Sequence, residues 1–253
     1  MEGCFNKLKD IIARFDLQNK PQTIFHCDEI GIQRDAGIQK VLCKRGSRNP
    51  NKLVGSVTKA MYTVLMYCNA IGDFLPMFIN YKGLHLYSTW CVGEPEKARY
   101  NCLQSGWIEA PQCLYWFINC FIPEILKLDG TKCDCRKNIE MFCLPAHTSH
   151  LVQPLDVGVY KAVKASWNGI LRNYYNETGY KNVDKLVLPT LMKKISEYAC
   201  LSRANTIGGF EGSGIYPLCK EKMTRKIEIA KIIEGEKIPV FPLPHPLQNQ
   251  LEP

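Results

Sequence analysis

The sequence predicts an α/β protein in which a mixed β-sheet is flanked by helices. Short, β-rich apolar runs dominate the first part of the chain, and amphipathic helical patterns dominate after residue 156. Between them lies a mixture of strand-like and helix-like segments, and this order is typical of a mixed sheet with helical cover. The 253 residues are 46% hydrophobic, which is enough to bury one large core. The composition excludes collagen-like, coiled-coil and wholly disordered classes.

The first elements follow from periodicity. Residues 5–15 place apolar side chains at helical spacing and predict an amphipathic helix. Residues 23–27 are short and partly β-branched, so they predict a strand that ends at Asp28. Two further apolar, β-rich runs, 54–68 and 74–81, are separated by turn residues and predict a hairpin.

The middle of the chain is less regular. Residues 82–110 show little periodicity and predict an irregular connection. A buried helix is expected over 114–122, and short strands are expected over 124–129 and 139–144. The proline that follows the last of these runs stops that strand.

Helical patterns take over from Asp156. One helix places its apolar face at Tyr160, Val163, Trp167, Ile170 and Tyr174, with Lys161, Lys164 and Arg172 on the other face. A second helix is expected over 188–199, and the glycine-rich run 208–214 is expected to break regular structure. We expect one domain over residues 1–235 and a Pro-rich, disordered tail over 236–253.

The charge of the chain favours a polyanionic partner. The net charge is +8, and basic residues cluster after the first predicted strand. The cluster is a candidate for phosphate contacts, the alternative being a solvated basic loop; its members are Arg34, Lys40, Lys44, Arg45, Arg48 and Lys52. Thirteen cysteines, an odd number, and charges throughout residues 1–20 predict reduced thiols and no signal peptide. We expect neither a membrane span nor a small-molecule substrate.

Three aspartates occupy positions that suit catalytic carboxylates. Asp28 and Asp129 are predicted at strand ends, where a strand holds the side chain in place and the sheet edge admits an ion. Asp156 begins a predicted helix, where ordinary helix-starting chemistry is an adequate alternative. Position alone leaves capping or turn roles open for all three.

Several motifs carry a family resemblance when taken in order. They are Cys27-Asp28-Glu29-Ile30-Gly31, Lys44-Arg45-Gly46, Val54-Gly55-Ser56-Val57-Thr58, Phe74-Leu75-Pro76-Met77-Phe78-Ile79, Ser105-Gly106-Trp107-Ile108, the run 143–159 (CLPAHTSHLVQPLDVGV) and the run 209–218 (GFEGSGIYPL). Together they resemble the DDE superfamily endonucleases of the pogo, Tigger and jerky group, which are transposases and proteins derived from them. The resemblance covers roughly residues 3–220.

The resemblance implies a ribonuclease-H-like fold and a two-metal nuclease site. Residue by residue, Asp28 matches the first acid of the family, Asp129 the second and Asp156 the third, and these three would hold Mg²⁺ or Mn²⁺. Glu29 matches a neighbouring acid that is not one of the three. In such a site the cations activate the attacking oxygen and stabilise the leaving oxygen of a phosphodiester. The implied partner is DNA, and the implied location is the nucleus.

Two departures from the family pattern bear on activity. Asp129 and Asp156 are 27 positions apart, shorter than the family's usual interval by about one helix, and no histidine closely follows Asp129. Family members also carry helix-turn-helix modules ahead of the catalytic domain, and we expect none in the short segment before Asp28. The alternative to an active nuclease is therefore a catalytically dead relic that binds DNA or a protein.

A zinc site is a weaker alternative. Its residue types are present near the third motif, as Cys133, Cys135, Cys143, His147 and His150. A spacing of one residue between two cysteines is unusual for zinc, however, and the histidines already belong to the family motif.

Overall fold

The structure is a computed structural model that describes residues 2–34, 45, 61–93, 95–106, 108–129, 139–145, 148–197 and 201–224. The predicted tail, most of the basic cluster (Lys40, Lys44, Arg48 and Lys52) and the cysteine pair of the zinc alternative lie outside these ranges.

A four-stranded mixed sheet forms the centre of the described part. Its strands are β1 (Phe25–Gln33), β2 (Met61–Asn69), β3 (Phe78–Lys82) and β4 (Arg99–Leu103), in the order β1-β2-β3-β4. The first three strands pair antiparallel and β4 runs parallel to β3, so the sheet is mixed as predicted. The β2–β3 hairpin turns at Gly72, whose positive φ of 90° favours glycine.

Helices cover both faces of this sheet. One face packs against α1 (Glu2–Arg14), α5 (Pro154–Gly158), α6 (Tyr160–Thr178), α7 (Leu188–Glu197) and α8 (Arg203–Ser213). The short α4 (Ser149–Val152) precedes α5. The opposite face packs against α2 (Ala110–Trp116), a π-helical turn (Phe117–Phe121) and α3 (Ile122–Asp129).

Strand β2 explains why two hydrophobic cores form. Its side chains alternate between the faces: Val64 and Met66 join the larger core, while Leu65 and Tyr67 join the smaller one around Trp116. Both sets are almost fully buried, so β2 is covered on both sides. The sheet is therefore the middle layer of three, as expected for an α/β fold.

The segment around the second predicted acid differs from expectation. Residues 124–129 were predicted as a strand, but they belong to α3, which continues the helical path of α2 through the π-helical turn. The apolar residues of this short run fit the period of either a helix or a strand. The adjacent Ile125 and Leu126 both pack against the hydrophobic cluster around Trp116, which a helix allows and the alternation of a strand does not.

Two other predictions in this half are wrong. Residues 139–145 form no regular strand, although Phe142 and Leu144 pack against the larger core. Strand β4 lies in the stretch predicted as irregular, and its pairing with β3 supplies the order that its sequence pattern does not show.

The glycine-rich run was also predicted wrongly, because most of it is helical. Ser202 caps α8 by accepting a hydrogen bond from the Asn205 backbone N–H at 3.2 Å, and Gly214 ends the helix with a φ of 76°. Gly209 lies in the interior of the helix, where a Cβ would meet the Pro154 carbonyl and lie 3.3 Å from Gly158 Cα. The glycines therefore let α8 and α5 touch backbone to backbone.

None of the helices in the described ranges combines the length and the apolar character needed to cross a lipid bilayer.

Candidate active site

Strand β1 presents Asp28 to the helix-rich face of the sheet. Ile30 and Ile32 lie in the larger core, and strand alternation places Asp28 on the same side. The residue is partly buried and lies in the middle of β1, which continues to Gln33. The prediction that the strand ends at Asp28 is therefore wrong; pairing with β2 extends the strand by five residues.

Helix α5 brings Asp156 to the same place. Pro154 takes the first helical position, where its missing N–H costs nothing, and Asp156 lies in the first turn, as predicted. The flanking Leu155 is fully buried in the core, while Asp156 keeps partial access to solvent. Packing of α5 on α8 and β1 thus sets the position of this carboxylate.

Asp28 and Asp156 are close enough for their charges to interact. The pKa of Asp28 is raised to about 7. Burial is the larger cause of this rise, and repulsion from the Asp156 carboxylate is the second. A hydrogen bond donated by the Glu29 backbone N–H opposes this rise but does not overcome it. Two carboxylates held close together despite their repulsion, with a strongly raised pKa, are typical of a functional site rather than of a structural contact.

Helix α6 adds two groups that the sequence did not assign to the site. Tyr160 is buried, and its hydroxyl donates a 2.7 Å hydrogen bond to the backbone carbonyl of Asp28. Lys164, one turn later, is exposed and lowers the pKa of Asp28 by charge attraction. Both lie on a helix that was predicted, but only the docking of α6 on β1 reveals their proximity to Asp28.

The same helix attaches to the rest of β1 through two further aromatic donors. The Trp167 indole N–H donates to the Gln33 carbonyl at 2.6 Å, and the Tyr175 hydroxyl donates to the Arg34 carbonyl. With Tyr160, these bonds satisfy three carbonyls near the edge strand of the sheet. They hold the strand that carries Asp28 in register with the helix that follows Asp156.

Glu29 lies on the other face of the sheet. Its carboxylate accepts a hydrogen bond from the Ile108 backbone N–H, and burial raises its pKa. Strand alternation therefore separates it from Asp28, which agrees with the role of a neighbouring acid outside the catalytic set.

His26 shares the face of Asp28 but brings no charge to it near neutral pH. Burial lowers the pKa of the imidazole to about 4, so the side chain is neutral there. In the part of the chain that the structure describes, its Nδ1 has no hydrogen-bond partner.

The position of the Asp129 carboxylate relative to Asp28 and Asp156 lies outside the described part of the chain. The residue is the last of α3, and its side chain lies outside the described part of the chain. The prediction that Asp129 lies at the end of a strand is wrong, because the residue belongs to the helix α3. Whether Asp129 joins Asp28 and Asp156 stays a prediction.

The two described carboxylates suit a divalent cation by chemistry. Carboxylate oxygens are the ligands that Mg²⁺ and Mn²⁺ prefer, and a cation between Asp28 and Asp156 would relieve the repulsion that raises the Asp28 pKa. Among the side chains that the structure describes, no group of three His, Cys, Asp or Glu residues is placed to hold a metal ion. The pair thus fits two of the three expected ligands.

Two residues of the predicted phosphate-binding cluster are described. Arg34 donates to the Val183 carbonyl at 3.4 Å and lies over the Tyr62 ring, so its guanidinium is engaged within the protein. Arg45 is exposed. The proposed contact of the cluster with nucleic acid stays a prediction.

The mixed sheet with helices on both faces is consistent with the α/β class of ribonuclease-H-like proteins. Residues 59–200, more than half of the chain, match the family model described as DDE superfamily endonuclease. The chain belongs to this family, which confirms the membership predicted from its motifs. The matched range includes Asp129 and Asp156 and begins after Asp28.

One curated relative is similar over most of the chain. It is the MFS-type transporter clz9 of Cochliobolus lunatus, 22% identical over 233 residues, which are 82% of this chain and 25% of that protein. The chain therefore spans about a quarter of the length of this relative. The word transporter in the name refers to that relative alone. No solved structure matches the chain.

Proposed function

We propose that the chain is a transposase-derived DNA endonuclease domain that uses divalent cations to cleave phosphodiesters. The observation that carries this proposal is the approach of Asp28 on β1 to Asp156 on α5. Membership of the endonuclease family supports the reaction class, and the net charge of +8 supports DNA as the partner. The nucleus is the compartment where such a substrate is met.

The residues of the site take separate roles in this proposal. Asp28 and Asp156 would hold Mg²⁺ or Mn²⁺ together with Asp129, and the bound cations would supply charge neutralisation at the phosphate and its leaving oxygen. Tyr160 holds the Asp28 backbone through its hydroxyl. Burial of the pair strengthens its attraction for a cation, since charges interact more strongly away from bulk water.

A second candidate function is a catalytically dead relic that binds DNA or a protein partner. The observation that favours it is the helical state of α3, which ends at Asp129 instead of presenting this acid from a strand. An acid displaced by 1 Å already costs about 100-fold in rate. In this case the fold and charge of the domain would persist without turnover.

A plasmid-nicking assay separates these candidates. Supercoiled plasmid is incubated with Mg²⁺, Mn²⁺ or EDTA and the wild-type chain, Asp28→Asn, Asp156→Asn or Asp129→Asn. We expect metal-dependent nicking by the wild type and a loss of about 100-fold or more in the first two variants, because each removes a cation ligand. Asp10→Asn, which changes an exposed aspartate on α1, is the matched control and should nick like the wild type.

Each outcome of the assay is informative. Equal nicking by the wild type, Asp28→Asn and Asp156→Asn would assign the activity to a contaminant and overturn the nuclease proposal. DNA binding by a wild type that never nicks would support the relic. A loss in Asp129→Asn equal to that in Asp28→Asn would support the third ligand.

A further inference from the structure

A row of polar and basic side chains runs along the solvent face of α6. Lys161, Lys164, Asn168 and Arg172 are all exposed, and their spacings of three, four and four residues align them on one side of the helix. At 1.5 Å per residue, the row is about 16 Å long. We refer to these four residues as the α6 row.

The inner end of the α6 row lies beside the acid pair. Lys164 is near enough to Asp28 for its charge to act on that carboxylate. Tyr160, the residue before Lys161, donates its hydroxyl to the Asp28 backbone. The row therefore begins at the candidate active site and leads away from it along the helix.

The row carries positive charge, and the nearest exposed carboxylate on its own helix is Glu177, five residues beyond Arg172. The exposed residues of α6 are, in order, Lys161, Lys164, Ala165, Asn168, Arg172, Asn173, Asn176 and Glu177, so the first carboxylate comes at the far end. In the described ranges, none of the three cations is among the residues that form ion pairs. Arg172 donates its Nε–H to the backbone carbonyl of Asn168 at 3.3 Å, a bond that leaves its charge unneutralised, and the charge of Lys164 also acts on Asp28. Lys161 and Arg172 thus keep their charges available to an external anion, and Lys164 lies between that anion and the acid pair.

Several other exposed basic residues of the described part are paired with acids. On α1, Arg14 pairs with Glu140 at 2.9 Å, and Lys20 after that helix pairs with Asp16 at 2.9 Å. Arg203 of α8 pairs with Asp73. These cations are neutralised locally, whereas the α6 row combines alignment, exposure and proximity to the acids.

We propose that the α6 row is a track on which the phosphate backbone of DNA lies as it enters the site of Asp28 and Asp156. The proposal rests on the proposed nuclease function and adds the surface that binds its substrate. Measured along the axis of B-DNA, which rises 3.4 Å per nucleotide, a length of about 16 Å spans roughly five nucleotides of one strand. The two lysines and the arginine supply the charge, and Asn168 supplies a neutral donor.

DNA fits this surface better than an anionic membrane does. Among the described residues, the exposed large apolar side chains lie elsewhere than on α6, so the helix has no apolar face to insert into lipid. The acid pair at the end of the row also suits a polymer whose phosphates continue into a cation site. RNA and lipid vesicles therefore serve as competitors in the test.

The test measures DNA binding without cleavage. Fluorescence anisotropy of a labelled 20-base-pair duplex, used here as an arbitrary probe of about two helical turns, is recorded in EDTA over a range of salt concentrations. The chains compared are the wild type, the triple variant Lys161→Gln/Lys164→Gln/Arg172→Gln, and a control triple variant on α1 and α7, Lys7→Gln/Lys9→Gln/Lys193→Gln. Both triple variants lose the same net charge from exposed positions.

We expect the α6 variant to lose at least about tenfold in affinity near 0.1 M salt, and the slope of log K against log salt to fall by about 2 to 3. The control variant should lose less than about threefold. Equal losses in both variants would overturn the track, because net charge alone would then explain binding. Displacement of the DNA by equal amounts of RNA duplex or phosphatidylserine vesicles would overturn the choice of DNA.

This outcome is separable from that of the nuclease proposal. Binding that depends on the α6 row in a chain that never nicks DNA would leave the track standing and refute the nuclease. Nicking that persists unchanged in the α6 variant at subsaturating DNA would refute the track alone. Thermal melting of each variant, in the absence of DNA, shows whether it is folded.

Discussion

Replacing Asp28 with Asn is expected to stabilise the protein at pH 8 by about 2 kcal/mol and to raise its melting temperature by about 5 °C. The pKa of Asp28 rises from 3.8 to about 7 on folding, which corresponds to at most about 4 kcal/mol, and partial exposure reduces this figure. Because the folded state holds the proton more tightly, stability is lost as pH rises from about 4 through 7. The asparagine side chain does not ionise in this pH range, so Asp28→Asn does not lose this stability.

Chemical denaturation at pH 4 and pH 8 checks this prediction. The difference between Asp28→Asn and the wild type should be small at pH 4 and should grow to its full value by pH 8. Asp10→Asn, on the exposed side of α1, should show little change at either pH. A variant less stable than the wild type at both pH values would mean that Asp28 contributes to the fold instead of straining it.

Replacing Gly209 with Ala is expected to destabilise the protein by about 3 kcal/mol. The added Cβ would meet the Pro154 carbonyl and lie 3.3 Å from Gly158 Cα, so α5 and α8 would have to separate. Backbone atoms on both sides leave no flexible side chain to yield. Since α5 carries Asp156, metal-dependent nicking should fall together with stability.

Gly208 offers a matched control one residue away on the same helix. A Cβ at Gly208 would have no atom within 4 Å, so Gly208→Ala should stabilise the helix by about 0.5–1 kcal/mol. Urea denaturation of both variants gives the comparison. Equal effects of the two substitutions would show that helix propensity, and not the contact with α5, governs this segment.

Much of the fold could be predicted from the period of the apolar residues. The helices α1, α6 and α7 and the β2–β3 hairpin have strong patterns because one face or both faces of each are buried. The glycine-rich α8 has no such pattern, since its packing depends on the absence of side chains at Gly209. Strand β4 likewise depends on its partner β3, which lies distant in sequence.

The sequence predicted only those residues of the site that belong to family motifs. The family resemblance singled out Asp28 and Asp156, and the structure brings these two close enough for their charges to interact. The apolar pattern of residues 124–129 predicted a strand that ends at Asp129, and the helix α3 replaces it. Tyr160 and Lys164 carry no motif of their own, and their proximity to Asp28 follows from how α6 packs on β1.

The central claim is that Asp28 and Asp156 form one cation-binding pair, and a carboxyl ¹³C NMR titration of Asp28 tests it most directly. The full chain, labelled at aspartate carboxyl carbons and assigned with Asp28→Asn, is titrated with and without Mg²⁺. We predict a pKa of about 7 for Asp28, which falls by about 1 in Mg²⁺ and also falls in Asp156→Asn. A pKa close to 3.8 that responds neither to Mg²⁺ nor to Asp156→Asn would contradict the account.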